Sequence, residues 1–170
     1  MRWAITGTPG TGKTTVTEYL ELNRPIVHLN QLVETGVYRS RRDEERDTDV
    51  ADIEGLTEWL SDQPEDVIIE SHLAHLLPVD RVIVLRCHPD ELRERLRNRG
   101  GVSERKCDEN VESERLDLIL SEAVSAHGQT SVYEIDTTGT HPRDVAGSIV
   151  DAIEGTRKPS VGTVSFLEER

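Results

Sequence analysis

Apolar residues fall along the chain in short, β-branched runs separated by longer amphipathic stretches. The runs are 2–6, 26–29 (IVHL), 66–70 (DVIIE), 81–87 (RVIVLRC) and 131–136 (SVYEID). A run that is apolar without strict alternation suits a strand covered on both faces, as in a parallel sheet between helices. Between the runs, helical spacing predicts helices over 14–22, 30–36, 52–61, 89–99, 109–127 and 142–154. Some ends are marked: Asn30 as an N-cap, Pro89 in a first turn, and Gly128 as the stop of the long fifth helix. This alternation predicts an α/β fold, a five-stranded parallel sheet with helices on both faces.

Composition narrows the class. The chain of 170 residues suits one domain, read as 1–155 with a small, polar tail from Thr156 to Arg170 that carries no assigned element. It contains no run of 18 apolar residues and no signal-peptide h-region, so the expectation is a soluble, cytoplasmic protein without a membrane partner. Cys87 and Cys107 belong to no C-x-x-C or Cys/His cluster, which argues against a structural metal or disulfide framework.

The 33 acidic residues outnumber 20 basic ones, giving a formal charge of −13, and of the basic residues only three are Lys. Scattered acid with little Lys fits either a chain kept soluble in concentrated salt or generic surface acidity. Such a field repels nucleic acid, so direct duplex DNA binding is disfavoured.

Against that acidity, residues 7–15 read GTPGTGKTT and follow the first apolar run. The stretch fits G-x-x-x-x-G-K-[ST] through Gly7, Gly12, Lys13 and Thr14. In this Walker A pattern, backbone N–H groups turn inward around phosphate oxygens, the lysine reaches the β and γ phosphates, and the hydroxyl ligates Mg²⁺. A chance glycine-rich turn is the competing reading, but strand, full motif and helix occur here together. The expected fold is therefore that of the P-loop NTPases. In such a fold, insertions are where nucleotide-covering arms belong. Two segments qualify, the charged 37–51 (VYRSRRDEERDTDVA) and 100–108 (GGVSERKCD), each otherwise a solvated surface loop.

A Walker A loop does not name a reaction. No N-K-x-D base-reading motif is present, and the D-x-x-G string Asp52 to Gly55 opens a predicted helix, which argues against a GTPase. The informative stretch is VIIESHLAHLLP, residues 67–78, where an apolar strand ends in Glu70, Ser71 and His72. That places a carboxylate and an imidazole at the carboxyl edge of the sheet, where ligands of such folds bind. Glu70 there would hold Mg²⁺, directly or through water, and His72 would face the γ-phosphate with an ordinary pKa near 6.5. His75 reads as a loop residue.

GTPGTGKTT, the acid-x-His after the third apolar strand, VIVLRC, ERLRNRG and KCDENVESE together resemble the adenylate kinase isoenzyme 6 family of small nucleoside monophosphate kinases. The resemblance covers most of residues 1–136, and DTTGTHPRDVAGSIVDAI is similar, more loosely, to the family's C-terminal helix. It implies reversible transfer of the γ-phosphoryl group of ATP to AMP or another nucleoside monophosphate, with Mg²⁺ as cofactor and an ATPase activity beside it. It also implies a part in maturation of the small ribosomal subunit precursor and its rRNA, through a transient complex with ribosomal protein S11. Carried over residue by residue, Gly10, Gly12, Lys13, Thr14 and Thr15 would bind ATP phosphates, and Arg99 would lie near the nucleotide. Lys13, His72 and Glu70 would serve catalysis, with Thr14 and Glu70 at the metal. The monophosphate-binding arm would span about 28–50 and the lid about 98–108. Three departures are visible: RGGV where the family commonly has R-G-Y, Glu70 where many relatives have Asp, and an arm with its own arginines, Arg39, Arg41, Arg42 and Arg46. An ATPase assembly factor with incidental kinase activity, and a P-loop kinase of a small metabolite, remain the alternatives.

Overall fold

The computed structural model describes residues 1–43 and 48–167, with side chains outside the described part over 39–49. Five strands form one parallel sheet: β1 (Trp3–Thr6), β2 (Ile26–His28), β5 (Ile68–Glu70), β6 (Arg81–Arg86) and β7 (Val132–Asp136). Their order across the sheet is β2-β5-β1-β6-β7. The P-loop strand β1 is thus central, and the chain reverses its direction of growth there, opening a crevice at the carboxyl ends of β1 and β5. In register, Ile5 stands opposite Glu70 on one side and Ile83 on the other.

Both faces of the sheet are covered. On one, Ala4, Ile69, Val82, Val84 and Val132 pack against Leu56 and Leu60 of α3 (Ile53–Ser61) and Leu120 and Ala123 of α6 (Leu118–His127). On the other, Trp3, Ile5, Ile83, Leu85 and Ile135 meet Val16 of α1 (Lys13–Thr17) and Val145, Ala146, Ile149 and Ala152 of α7 (Pro142–Ile153). A third, smaller cluster of Cys87, Leu92, Leu96, Cys107 and Val111 joins α4 (Pro89–Arg99) to α5 (Glu104–Arg115). No helix among the described residues is long and apolar enough to cross a membrane.

The expected α/β sheet is present, and Pro89 and Gly128 stand at the predicted ends. Other expectations change. The predicted helix 109–127 is two helices, because Asp117 takes a left-handed backbone (φ 54°) and sends its carboxylate to Arg86. The first begins earlier, where the Ser103 hydroxyl accepts from the Lys106 amide and caps α5. Gly100 and Gly101 (φ 70° and 71°) make the turn before it, so of the expected loop 100–108 only 100–103 lies outside a helix. Asn30 is not a cap. It lies inside α2 (Leu29–Glu34), and its Oδ1 accepts from the Ser71 hydroxyl at 2.7 Å. Within the charged segment 37–51, β3 (Arg39–Asp43) and β4 (Thr48–Ala51) pair antiparallel, with Arg42 opposite Asp49. Arg46 and the side chains of Arg39, Arg41 and Arg42 lie outside the described residues. Asp52 caps α3 by accepting from the Gly55 amide, so the D-x-x-G string is a helix start. The tail reaches the sheet: Ser160 bridges to Tyr133, with bonds from Ser160 N to Val132 O (3.1 Å) and from Glu134 N to Ser160 O (2.9 Å).

Candidate active site

The phosphate-loop candidate leaves β1 at Gly7. That glycine has φ 144°, and a Cβ there would stand 2.5 Å from the Leu85 carbonyl oxygen. Gly10 (φ 96°) is pressed against α4, where a Cβ would meet Leu92 Cδ1 at 2.8 Å. Side chains at either place would push the loop off its support, so the glycines are demanded by packing as well as by backbone conformation. Within the loop the Thr8 carbonyl accepts from the Thr11 amide (3.2 Å) and hydroxyl (2.9 Å).

Lys13 is only 7% exposed, and its Nζ donates to the carbonyls of Gly7 (2.8 Å) and Thr8 (3.1 Å). Burial lowers its pKa to about 8; the Glu70 and Glu114 carboxylates act to raise it, and Arg99 to lower it. Thr14 and Thr15 are exposed in the first turn of α1. That helix is five residues long, shorter than the predicted 14–22, so its dipole is small and an anion there would be held mainly by the loop's own N–H groups.

Glu70 ends β5 beside this loop and is 2% exposed. Its Oε2 accepts from the Thr14 hydroxyl at 3.4 Å and lies 2.7 Å from His28 Nδ1. Its Oε1 is buried with no hydrogen-bond partner among the described residues. A buried carboxylate oxygen left open, next to a hydroxyl, is a donor set that fits a hard divalent cation. The structure brings Thr14 and Glu70 together beside Lys13 and adds His28, which sequence reasoning missed because it lies in the apolar run IVHL with no motif around it.

His72 follows, partly buried, with no hydrogen bond to its ring among the described residues. Its pKa is lowered to about 4, first by burial and then by the Lys13 ammonium. The imidazole is thus neutral through the physiological range, instead of titrating near 6.5 as expected. His75 is not a loop residue in the ordinary sense. It is buried, with Nδ1 2.9 Å from the Thr6 hydroxyl and Nε2 2.9 Å from the Glu122 carboxylate, and its carbonyl accepts from His127.

On the other flank, Arg99 ends α4, exposed and without a hydrogen bond among the described residues. Arg95, one turn earlier, was not foreseen. It donates to the carbonyls of Thr137 (3.0 Å) and Thr11 (3.4 Å), clasping the loop after β7 to the phosphate loop. Beside it lies a groove of about 650 Å³ lined by His88, Glu94, Arg95, Asn98, Thr138 and Gly139. Behind the phosphate loop, the Thr8 hydroxyl donates to Glu114 (2.5 Å), which also pairs with buried Arg86. A lone arginine ending an apolar strand was the one available signal for that cluster.

Comparison with known proteins bears on the family and the fold. The family model for the AAA domain matches residues 4–117. Over 168 residues the chain is 52% identical to a protein of Natronomonas pharaonis named "Putative adenylate kinase", covering 99% of each. Proteins of the same name from Halobacterium salinarum (47%, 99% of each chain) and Methanocaldococcus jannaschii (36%, 99% of this chain and 94% of that one) are also similar. Among solved structures, deoxyadenosine kinase from M. mycoides superposes with TM-score 0.61 at 15% identity, over 92% of this chain and 100% of the other. Shikimate kinase from Bacteroides thetaiotaomicron gives 0.58 at 18%, over 92% and 97%. At that identity the likeness is one of fold, a P-loop α/β domain.

Proposed function

The chain belongs to the AAA domain family and to the family of the archaeal proteins just named, and from that premise we propose that it transfers the γ-phosphoryl group of ATP reversibly to AMP or another nucleoside monophosphate. The coarser assignment, a nucleotide kinase, rests on those relatives. The finer one is supported by a single observation: the Thr14 hydroxyl reaches Oε2 of Glu70 within the field of the Lys13 ammonium, at the carboxyl ends of β1 and β5.

In this reading the amides of 10–15 and the Lys13 ammonium hold the donor phosphates, and the groove beside Arg95 takes the donor nucleoside. Thr14 and Glu70 are the residues that would hold Mg²⁺, which when bound offsets phosphate charge. The acceptor phosphate is already largely ionised near neutral pH, so the protein's task is positioning and charge neutralisation rather than strong base catalysis. The segment of about 28–50 is the candidate monophosphate arm, and the Gly100–Gly101 turn with its flanking helices the candidate lid. Arg99, free at the lid's edge, would move onto the phosphates as the lid closes and water leaves.

A second reading, an ATPase that acts as an assembly factor, is supported by His72. Its neutral ring, in the field of Lys13, is suited to orient a water against the γ-phosphate. Membership of the isoenzyme 6 branch, and with it a complex with ribosomal protein S11 on the small ribosomal subunit precursor, is supported by the E-x-H and KCDEN motifs. The net charge of −13 suits a basic partner.

Phosphorus NMR of products tests these readings, with ATP alone, with ATP plus AMP, and with ATP plus other acceptors. ADP forming much faster when a monophosphate is present than with ATP alone, and without a matching rise in free phosphate, is the expected result. ADP and free phosphate at the same rate with or without AMP would overturn the kinase reading in favour of the ATPase. Pull-down of S11 at matched salt with and without nucleotide tests the partner.

A further inference from the structure

A buried charge cluster behind the phosphate loop has no part in the chemistry described so far. Arg86, 1% exposed at the end of β6, donates from Nε to Glu114 Oε1 (2.8 Å) and from Nη1 to Glu134 Oε1 (2.6 Å). Its Nη2 donates to the Glu114 carbonyl (3.2 Å) and to the Asp117 carboxylate. Burial alone would lower the guanidinium's pKa, and the Glu114 and Asp117 carboxylates more than reverse this. Three carboxylates face one guanidinium; Asp117 is partly exposed to water, but Glu114 and Glu134 are buried and must find further donors to remain ionised.

Glu114, 2% exposed, finds them in two places. Its Oε1 accepts from the Cys87 amide at 3.0 Å, and its Oε2 accepts from the Thr8 hydroxyl at 2.5 Å. Phosphate binding does not need that hydroxyl, because the motif leaves position 8 free and the anion is held by backbone N–H groups. Thr8 nevertheless carries the carbonyl on which the Lys13 ammonium rests. The same residue is thus held from behind by α5 and in front by the lysine.

We propose that Glu114 is a positioning residue for the phosphate loop: by fixing Thr8 it fixes the seat of the Lys13 ammonium, and it ties that seat to α5. The inference rests on the reading of residues 7–15 as a phosphate cradle. A charge-assisted O–H to carboxylate bond is short and directional, so loss of it frees the loop's first turn by rotation about Thr8. Because α5 begins just after the Gly100–Gly101 turn, displacement of that helix would be felt at Lys13 through one side-chain bond.

Three variants test this: Thr8→Val, which keeps the volume and removes the donor; Thr8→Ser, which restores it; and Glu114→Asp, which keeps a charge for Arg86 but shortens its reach. Binding of inorganic tripolyphosphate is measured by calorimetry, and turnover with ATP and AMP at steady state. Thr8→Val and Glu114→Asp are expected to weaken tripolyphosphate binding about tenfold and to lower kcat about tenfold, with KM for AMP within about twofold. Thr8→Ser should recover most of both losses. Wild-type affinity and kcat in Thr8→Val, or equal losses in the Ser and Val variants, would overturn the proposal. So would a fall in melting temperature alone. If Thr8→Val does not fold, Glu114→Asp decides by the same criteria. A wild-type protein that binds tripolyphosphate but phosphorylates no monophosphate refutes the kinase reading, while the tripolyphosphate series still decides this one. No binding by the wild type refutes both.

Discussion

Nδ1 of His28 lies 2.7 Å from Oε2 of Glu70, and this contact, with the Thr14 hydroxyl, leaves the other carboxylate oxygen buried without a partner among the described residues. His28 ends β2 and Glu70 ends the neighbouring β5, so the pair is built by the parallel register of the two strands. A residue that orients a metal-binding carboxylate typically changes metal affinity by about 10- to 100-fold. His28→Ala should therefore raise the Mg²⁺ concentration for half-maximal turnover about tenfold, with saturating kcat within about twofold. Glu70→Ala should depress kinase and ATPase turnover together. A magnesium titration of both variants checks this, and an unchanged midpoint in His28→Ala would remove the orienting role.

Lys13→Ala should abolish both activities. The side chain is buried on two carbonyls and makes no ion pair among the described residues, so its loss takes away no salt bridge described there. The expected result is a melting temperature within a few degrees of wild type and no turnover above background in either assay. Retention of near wild-type turnover in either would defeat the assignment of residues 7–15.

Much of this was legible in the chain itself. The five apolar runs became the five parallel strands, because a strand covered on both faces must be apolar along its length. Lys13, Thr14 and Glu70 were legible because a glycine-rich turn and a strand-ending acid are local patterns. The rest depends on partners distant in sequence. The break at Asp117 has no Gly or Pro to announce it; it is stabilised by Arg86, 31 residues away. Asn30 has the composition of a cap, yet the Ser71 hydroxyl holds it within α2. The pairing of β3 with β4 was hidden because its charged residues lack an apolar alternation.

His75 predicts a dependence of stability on pH. Its pKa is lowered, chiefly by burial, with the Glu122 carboxylate opposing and His127 and Lys13 adding to the effect. A histidine held neutral in the fold but free to take a proton when unfolded stabilises the fold above its unfolded value of 6.5. That stability is lost as pH falls below 6.5 toward the lower folded value. Denaturant midpoints should therefore decline between about pH 7 and 5, before most carboxylates titrate. His75→Gln should reduce that decline without abolishing it, because His72, with its pKa lowered to about 4, contributes in the same direction; an equal slope in the variant would show that His75 has no part in it.

The tail makes a separate, measurable contribution. Glu134 is 1% exposed, and its Oε2 accepts from Thr163 N (2.8 Å), Thr163 Oγ1 (3.0 Å) and Val164 N (3.3 Å). Phe166 then lies over the Arg86 guanidinium, 5.1 Å from ring centre to carbon. Ending the chain after Pro159 leaves one oxygen of a buried carboxylate without donors, at a cost of about 1–3 kcal/mol. Urea unfolding of the truncated chain should show that loss, and an unchanged midpoint would mean that water replaces the tail without penalty.

His72 offers the sharpest separation of the two activities. With a pKa of about 4, its ring is neutral at working pH but a weak base, so its use to a hydrolytic reaction lies more in orienting the attacking water than in removing its proton. A monophosphate acceptor is already charged and is positioned by its own contacts, so it needs no such help. His72→Ala should then lower ATPase kcat about tenfold more than adenylate kinase kcat, both measured at saturating Mg²⁺. His72→Gln, which keeps a hydrogen-bond acceptor without a titrating ring, should recover part of the ATPase loss if orientation is the role. Equal depression of both activities in His72→Ala would instead make His72 a support for the donor phosphates, and the water-orienting role would be withdrawn.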